Sequence, residues 1–119
     1  IVSLAPSNLD VLLALEAGER VVGCENSSRE WARSRQAEAE IALLGPDLDP
    51  DLEKVSELQP DLVLASLTVP GMERVVSGLA RRGIPHLVLA PRGVDDAMAD
   101  VLRVGEALGL TKQAVAVVK

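Results

Sequence analysis

The chain has 119 residues, 48% of them hydrophobic and 25% charged, with a formal net charge of −6. That length suits one domain with a real core, and the composition is not that of a disordered segment. An acidic chain with one Trp, no Tyr and no Phe matches neither a phosphate backbone nor a base-stacking platform, and one Cys and one His exclude an internal disulfide, a Cys-based zinc site and two-His zinc motifs.

No uncharged run approaches the roughly 18 residues needed to span a membrane. The chain opens directly on a strand-like run, so no signal peptide is expected in it, and these residues do not specify localisation. With a single aromatic residue, the core is expected to be built from Leu, Val, Ile and Ala.

Residues 1–5 read as a buried strand ending at Pro6. Ser7 or Asn8 is expected to cap the next helix, with Asp10 in its first turn and Leu9, Leu12, Leu13 and Leu15 on its apolar face. Gly18 is expected to stop it. Residues 20–24 form a second apolar run. Residues 25–36 are polar and lack a clear period, which suggests a loop with a helical turn. Residues 42–44 read as a brief strand. Asp49 is then a cap residue and Pro50 a first helical residue, which places a helix over 50–58, ended by Pro60.

Residues 62–65 are an apolar strand, and 66–70 a loop. Met72, Val75, Val76 and Leu79 mark the apolar face of a helix over 71–82, which Gly83 ends. Residues 86–90 are a further strand, and 94–108 a helix ending at Gly109. Thr111 caps a last helix over 112–119.

Strands alternate with helices, and each strand is a continuous apolar run. That pattern implies a parallel sheet covered on both faces, here a Rossmann-like, three-layer α/β lobe with a mostly parallel sheet of four to five strands. Ligands of such sheets bind outside the carboxyl ends of the strands. The loops at that edge are 6–8, 25–31, 66–70 and 91–93. None carries G-x-G-x-x-G or a P-loop, which disfavours a dinucleotide cofactor.

The candidate ligand contacts are the residues of those loops. Pro6, Ser7 and Asn8 begin a helix whose free amides suit a carbonyl or anionic group. Trp31 offers an aromatic face with a polar handle. Ser66 and Leu67 follow the third long apolar strand. Arg92 presents a planar fork to a carboxylate or phosphate, or pairs with Asp95 or Asp96. His86 reads as a structural residue at a strand end, and Cys24 as a free thiol, because Glu16, Glu19 and Arg20 break the run that a lipidation signal would need. The acidic groups at 47–51 and 95–96 fit helix caps and first turns better than a calcium loop. No nucleophile–base pair is evident, so no catalytic residue and no metal ligand is assigned.

Ile1-Val2-Ser3-Leu4-Ala5-Pro6-Ser7-Asn8, then Leu13-Ala14-Leu15 and Val21-Val22-Gly23, are followed by Pro50-Asp51-Leu52-Glu53, Leu58-Gln59-Pro60-Asp61-Leu62-Val63-Leu64-Ala65 and Gly83-Ile84-Pro85. This series resembles the class III substrate-binding proteins of ABC importers, the cobalamin, ferric siderophore and haem type. The resemblance implies two α/β lobes joined by a long helix, with a metal chelate clamped between them and handed to a membrane permease. Residues 1–110 would be the N-terminal lobe and 111–119 the start of the joining helix, the second lobe being absent.

It also implies capture without chemistry, no cofactor and no protein metal ligands, since the chelate is bound whole. Glu73, early in the helix after Pro-Asp-Leu-Val-Leu-Ala, matches the surface acid that docks to permease arginines. A periplasmic or extracytoplasmic location follows, with any lipid-anchor Cys upstream of Ile1. Two departures bear on the ligand. Glu25-Asn26-Ser27-Ser28-Arg29-Glu30-Trp31 stands where many members carry an Asp-Tyr-Pro-Pro-like segment, and only Trp31 could stack on a corrin. The alternative is the Rossmann-like lobe of an enzyme such as a sugar-nucleotide transferase, which requires a phosphate-binding loop.

Overall fold

The computed structural model describes residues 1–35, 41–67 and 70–118. Among these, five strands run parallel: β1 (Val2–Ser3), β2 (Gly23–Cys24), β3 (Ala42–Leu43), β4 (Val63–Ser66) and β5 (His86–Leu89). They form one sheet in the order β3-β2-β1-β4-β5. The α-helices are α1 (Pro6–Ala14), α2 (Arg29–Ser34), α3 (Leu52–Glu57), α4 (Glu73–Arg81), α5 (Val94–Ala107) and α6 (Thr111–Val118). The chain winds outward from β1 to β3, then crosses back to lay β4 and β5 on the other side of β1.

The fold is a three-layer, Rossmann-like α/β lobe. Successive residues of a strand face opposite layers. Leu64 therefore packs with Leu9 and Leu12 of α1, with Leu15 just after it, with Val104 of α5 and with Ala114 of α6. Its neighbours Val63 and Ala65 pack with Val55 of α3 and with Val75 and Leu79 of α4. Leu12, Leu64 and Leu79 are fully buried, each contributing about 1.5–3 kcal/mol by leaving water. No helix among the described residues is long and apolar enough to cross a membrane.

Local chemistry moved several boundaries. Helix α1 starts at Pro6, not after a Ser7 or Asn8 cap, because proline presets a helical φ and has no N–H to leave unpaired. The helix ends at Ala14, and the left-handed residue after it is Glu16, with φ 57°, not Gly18. Helix α3 is capped by Asp51, whose carboxylate accepts from the Lys54 N–H at 3.1 Å, and so excludes Asp49 and Pro50. The Asp51 N–H is already bound to the Leu44 carbonyl at 2.6 Å, which holds that residue in the preceding loop.

Residues 25–35 are more ordered than a loop: a 3-10 turn, Asn26–Ser28, leads into α2. Gly83 and Gly109 end α4 and α5 at φ 66° and 72°, as expected of glycine after a helix. Gln36, Thr68, Val69 and Lys119, which the sequence assigns to loops and to the last helix, lie outside the described residues.

Candidate functional site

The carboxyl ends of all five strands share one edge, and the strand order reverses there between β1 and β4. Such a reversal splays the loops apart and leaves a crevice. From β1 the chain turns at once: Ser3 is buried, and its hydroxyl donates to the Ala5 carbonyl at 3.1 Å. Pro6 and Ser7 then sit exposed on the first turn of α1. Asn8 does not face solvent. It is 2% exposed, and its Nδ2 donates to the Leu64 and Ala65 carbonyls at 3.0 and 3.2 Å. The start of α1 is thereby bolted across the reversal to β4.

The loop after β2 is held by a second set of polar contacts. Glu25 is fully buried, and its carboxylate accepts from the Ser27 N–H at 2.6 Å and from the Ser28 hydroxyl. The Asn26 N–H donates to the Gly45 carbonyl at 2.8 Å, and Asn26 Oδ1 accepts from the Gly45 N–H at 3.1 Å. That pair joins the loops after β2 and β3, and Gly45 makes the turn at φ 99°.

Three depressions open on this edge, two of them beside the loops singled out in the sequence. One, of about 130 Å³, lies between α1 and α5 and is lined by Ser7, Asn8, Val11, Leu89, Pro91 and Asp100, among others. The other, of about 460 Å³, is polar and shallow, walled by Asn26, Ser27, Arg29, Glu30, Pro46 and Asp47. A groove of about 450 Å³ between Arg20, Pro60, Asp61 and Leu108 lies at the opposite, amino edge, away from the loops of the reversal.

Most of the residues singled out in the sequence meet at the carboxyl edge. Ser7 and Asn8 share the smaller cleft with Pro91, beside Arg92. Ser66 is buried in register with Leu89, which lines that cleft, and Leu67 stands exposed one residue beyond. Arg92 is exposed; its N–H donates to the Asp96 carboxylate at 3.1 Å, while its guanidinium pairs with neither Asp95 nor Asp96.

Trp31, Glu73 and His86 line neither of those two depressions. Trp31 is half-buried against the α1 layer, its ring beside Gly18, whose added methyl would touch Cζ2 at 3.5 Å. Glu73 begins α4 on the other layer, exposed, and its carboxylate accepts from the Gly71 N–H at 2.9 Å. His86 starts β5 at the amino edge, its Nδ1 2.8 Å from the Ile84 carbonyl.

Cys24 is buried at the end of β2. Burial first, and the charge of Glu25 second, push its thiol from the usual 9 up to about 11. At pH 8 the native thiolate is then about a hundredfold scarcer than in the unfolded chain, and iodoacetamide alkylation should be slowed by at least that factor. The folded value lies above the unfolded one. The stabilisation is therefore whole below about pH 9 and lost as pH rises through about 11. Native alkylation at the rate seen in urea would contradict the burial.

Two residues of the edge, Glu25 and Asp100, were not singled out in the sequence. Asn8 was read as a cap and as a ligand contact, and its side chain instead ties α1 to β4. A glutamate directly before Asn-Ser-Ser is a signal for a capped turn and could have flagged Glu25. Asp100 falls on the i+4 row of Asp96 and had no visible signal, since its burial depends on where α5 docks.

Comparison with known proteins follows the same line. The chain matches the periplasmic binding protein family model over residues 1–119. It is 31% identical over 121 residues to an uncharacterised ABC transporter substrate-binding lipoprotein, YvrC, of Bacillus subtilis (strain 168), covering 100% of this chain and 37% of that protein. The fold superposes on the siderophore-binding protein FhuD of Vibrio cholerae, solved with Fe3+-Desferal, at TM-score 0.75 and 22% identity, covering 97% of this chain and 44% of that one. It superposes on a periplasmic haem-binding protein of Pseudomonas aeruginosa at TM-score 0.72 and 21% identity, covering 97% and 40%. At those identities the two structures speak for the fold alone. The chain spans about two-fifths of the length of each of these proteins.

Proposed function

Because the chain belongs to the periplasmic binding protein family, we propose that it is the ligand-binding lobe of an ABC-importer receptor, capturing a metal chelate and passing it to a membrane permease. The observation that carries this reading is the carboxyl edge itself. In a chain whose whole length fits the family, that edge gathers Ser7, Asn8, Ser66, Leu67 and Arg92 around the strand reversal. A second lobe closing on it would bury a ligand between them. Residues 1–110 are that lobe, with Pro6 on its rim, and α6 begins the helix that joins it to the second. The parent protein works outside the cytoplasmic membrane, as a substrate-binding lipoprotein relative suggests.

The ligand class follows from the same edge. Ferric siderophore or haem is favoured over cobalamin. A corrin ring calls for aromatic faces, and the single Trp is turned to the α1 layer. Arg92, exposed and unpaired with its neighbouring acids, suits the anionic oxygens of a hydroxamate or catecholate, or a haem propionate. An enzyme lobe, such as half of a sugar-nucleotide transferase, is the competing reading. It lacks a supporting observation here, since the loop after β1 carries Pro6-Ser7-Asn8 where a phosphate cradle would need glycines.

The test is a titration of the two-lobed parent, following Trp31 fluorescence, with ferric siderophores, haem and cobalamin, each corrected for absorption by the ligand. Saturable quenching by a ferric chelate or haem is expected, by energy transfer into the coloured ligand. Saturation by cobalamin alone would change the ligand class. Binding of none, with turnover of a nucleotide sugar, would sink the receptor reading.

Docking is tested separately. Glu73 stands off the cleft on the outer layer, so Glu73→Lys should leave chelate affinity unchanged. It should slow permease-dependent uptake about tenfold, because opposed charges steer encounter. Equal uptake by the variant would leave Glu73 only its bond to Gly71.

A further inference from the structure

The small cleft between α1 and α5 contains a group with an unmet need. Asp100 is 7% exposed. Its Oδ1 accepts from Arg103 Nη1 at 3.1 Å, while its Oδ2 is buried without a hydrogen-bond partner. Arg103 lies half-exposed on the far side and is partly engaged by the Val88 carbonyl at 3.3 Å. A buried carboxylate oxygen left unpaired is costly and rare in a stable fold. Carboxylate torsions are soft, so a small rotation exposes either oxygen to the cleft that Asp100 lines.

The rest of the wall fits a short arm of a larger ligand. Val11, Leu89, Pro91 and Ala97 are apolar, and Ser7 adds one hydroxyl at the rim. At about 130 Å³ the space accepts a few non-hydrogen atoms, not a chelate. Its mouth opens at the strand reversal, one residue from Arg92.

We propose that this cleft is a specificity subsite in which Asp100 accepts a hydrogen bond from a donor-bearing arm of the bound chelate, a hydroxyl, an amide N–H or an ammonium. Arg92 would meet the anionic centre while Asp100 reads the arm beside it. This rests on the receptor reading above, and adds which part of the chelate the lobe discriminates.

The experiment uses the two-lobed parent and four probes. Ferrioxamine B ends in an ammonium, its cyclic counterpart ferrioxamine E has no such arm, ferric enterobactin carries amide N–H groups, and haem carries carboxylates without a donor arm. Asp100→Leu should weaken ferrioxamine B or ferric enterobactin, whichever the wild type binds, by about ten- to a hundredfold. Ferrioxamine E holds its amide N–H groups in the ring and lacks the protruding ammonium arm, so it should stay within about threefold. Asp100→Asn keeps an acceptor without the charge. It should match the leucine variant if the arm is an ammonium and fall between if the arm is a neutral donor. The melting temperature of the ligand-free protein should be unchanged in the asparagine variant, which separates a lost contact from a lost fold.

Unchanged affinity in both variants overturns the subsite while the receptor reading stands. So does a wild type that binds haem and no siderophore. A wild type that binds none of the four probes overturns this inference, and the receptor reading falls with it where the fluorescence titration above also finds no ligand.

Discussion

Asn8→Asp should destabilise the protein by about 3–5 kcal/mol and Asn8→Ala by about 2 kcal/mol, read as a shift of the urea midpoint with an unchanged slope. The wild-type amide is fully enclosed and gives both its hydrogens to carbonyls of β4. Only that orientation of the amide is consistent with two facing acceptors. The Leu64 carbonyl also accepts from the Leu4 N–H at 3.1 Å, so the side chain fills a second lone pair and does not rescue an orphan. Alanine therefore costs two modest bonds and a small void. Aspartate has the same shape but only accepts. It sets a buried charge against two oxygens, and the larger penalty follows from that repulsion. Because this bond ties the first turn of α1 to the strand reversal, both variants should also loosen the proposed ligand cleft and raise Kd for any chelate bound there. An aspartate variant as stable as wild type would mean that Asn8 is not enclosed as described.

Gly105→Ala should lower the melting temperature where the same change at Gly78 is nearly neutral. In an exposed helix interior, alanine gains about 1 kcal/mol over glycine. At Gly105 that sign reverses. A methyl there would collide with the Ala114 side chain and lie 3.2 Å from the Leu110 carbonyl. Neither neighbour has a rotamer to move, and α6 returns over α5 at that point through the Leu110 N–H to Gly105 carbonyl bond of 2.6 Å. Helix α6 must shift as a body, at about 2–3 kcal/mol, and more for valine. At Gly78 the obstacle is the tip of Leu52, a half-buried leucine that can change rotamer. The expected difference between the two alanine variants is several degrees in Tm. Ala114→Gly should recover part of the loss in the double mutant, since it removes the colliding atom. Equal stabilisation at both sites would show that α6 does not pack as placed here. In the parent protein the same variant would also displace the proposed joining helix.

The proposed cleft and the proposed docking acid are separable in these experiments because the fold keeps them on different layers. Ser7, Asn8 and Asp100 belong to the α1 and α5 side, and Glu73 to the α3 and α4 side. A defect in affinity and a defect in delivery should therefore arise from different residues.

The sequence by itself determined the strand–helix alternation, the parallel sheet and the family. Continuous apolar runs, Pro6, Gly83 and Gly109 act through local backbone preferences and through burial on both faces, and neither needs a partner to be known. It also placed Ser7, Asn8, Ser66, Leu67 and Arg92 at the ends of strands, hence at one edge. What it left open depended on distant residues. Ser7 and Asn8 look like caps until β4 offers carbonyls to Asn8. Asp49 reads as the cap of α3 until the Leu44 carbonyl takes the Asp51 N–H and the Asp51 carboxylate takes the Lys54 N–H. Trp31 lies in an edge loop by sequence, yet α2 carries its ring back toward Gly18. Nothing in the sequence marks Glu25 or Asp100 as buried, yet both are, one satisfied by Ser27 and Ser28 and the other left with an open oxygen. A side chain's hydrogen-bond partners and its exposure are set by how layers dock across tens of residues. Only the tertiary structure decides them.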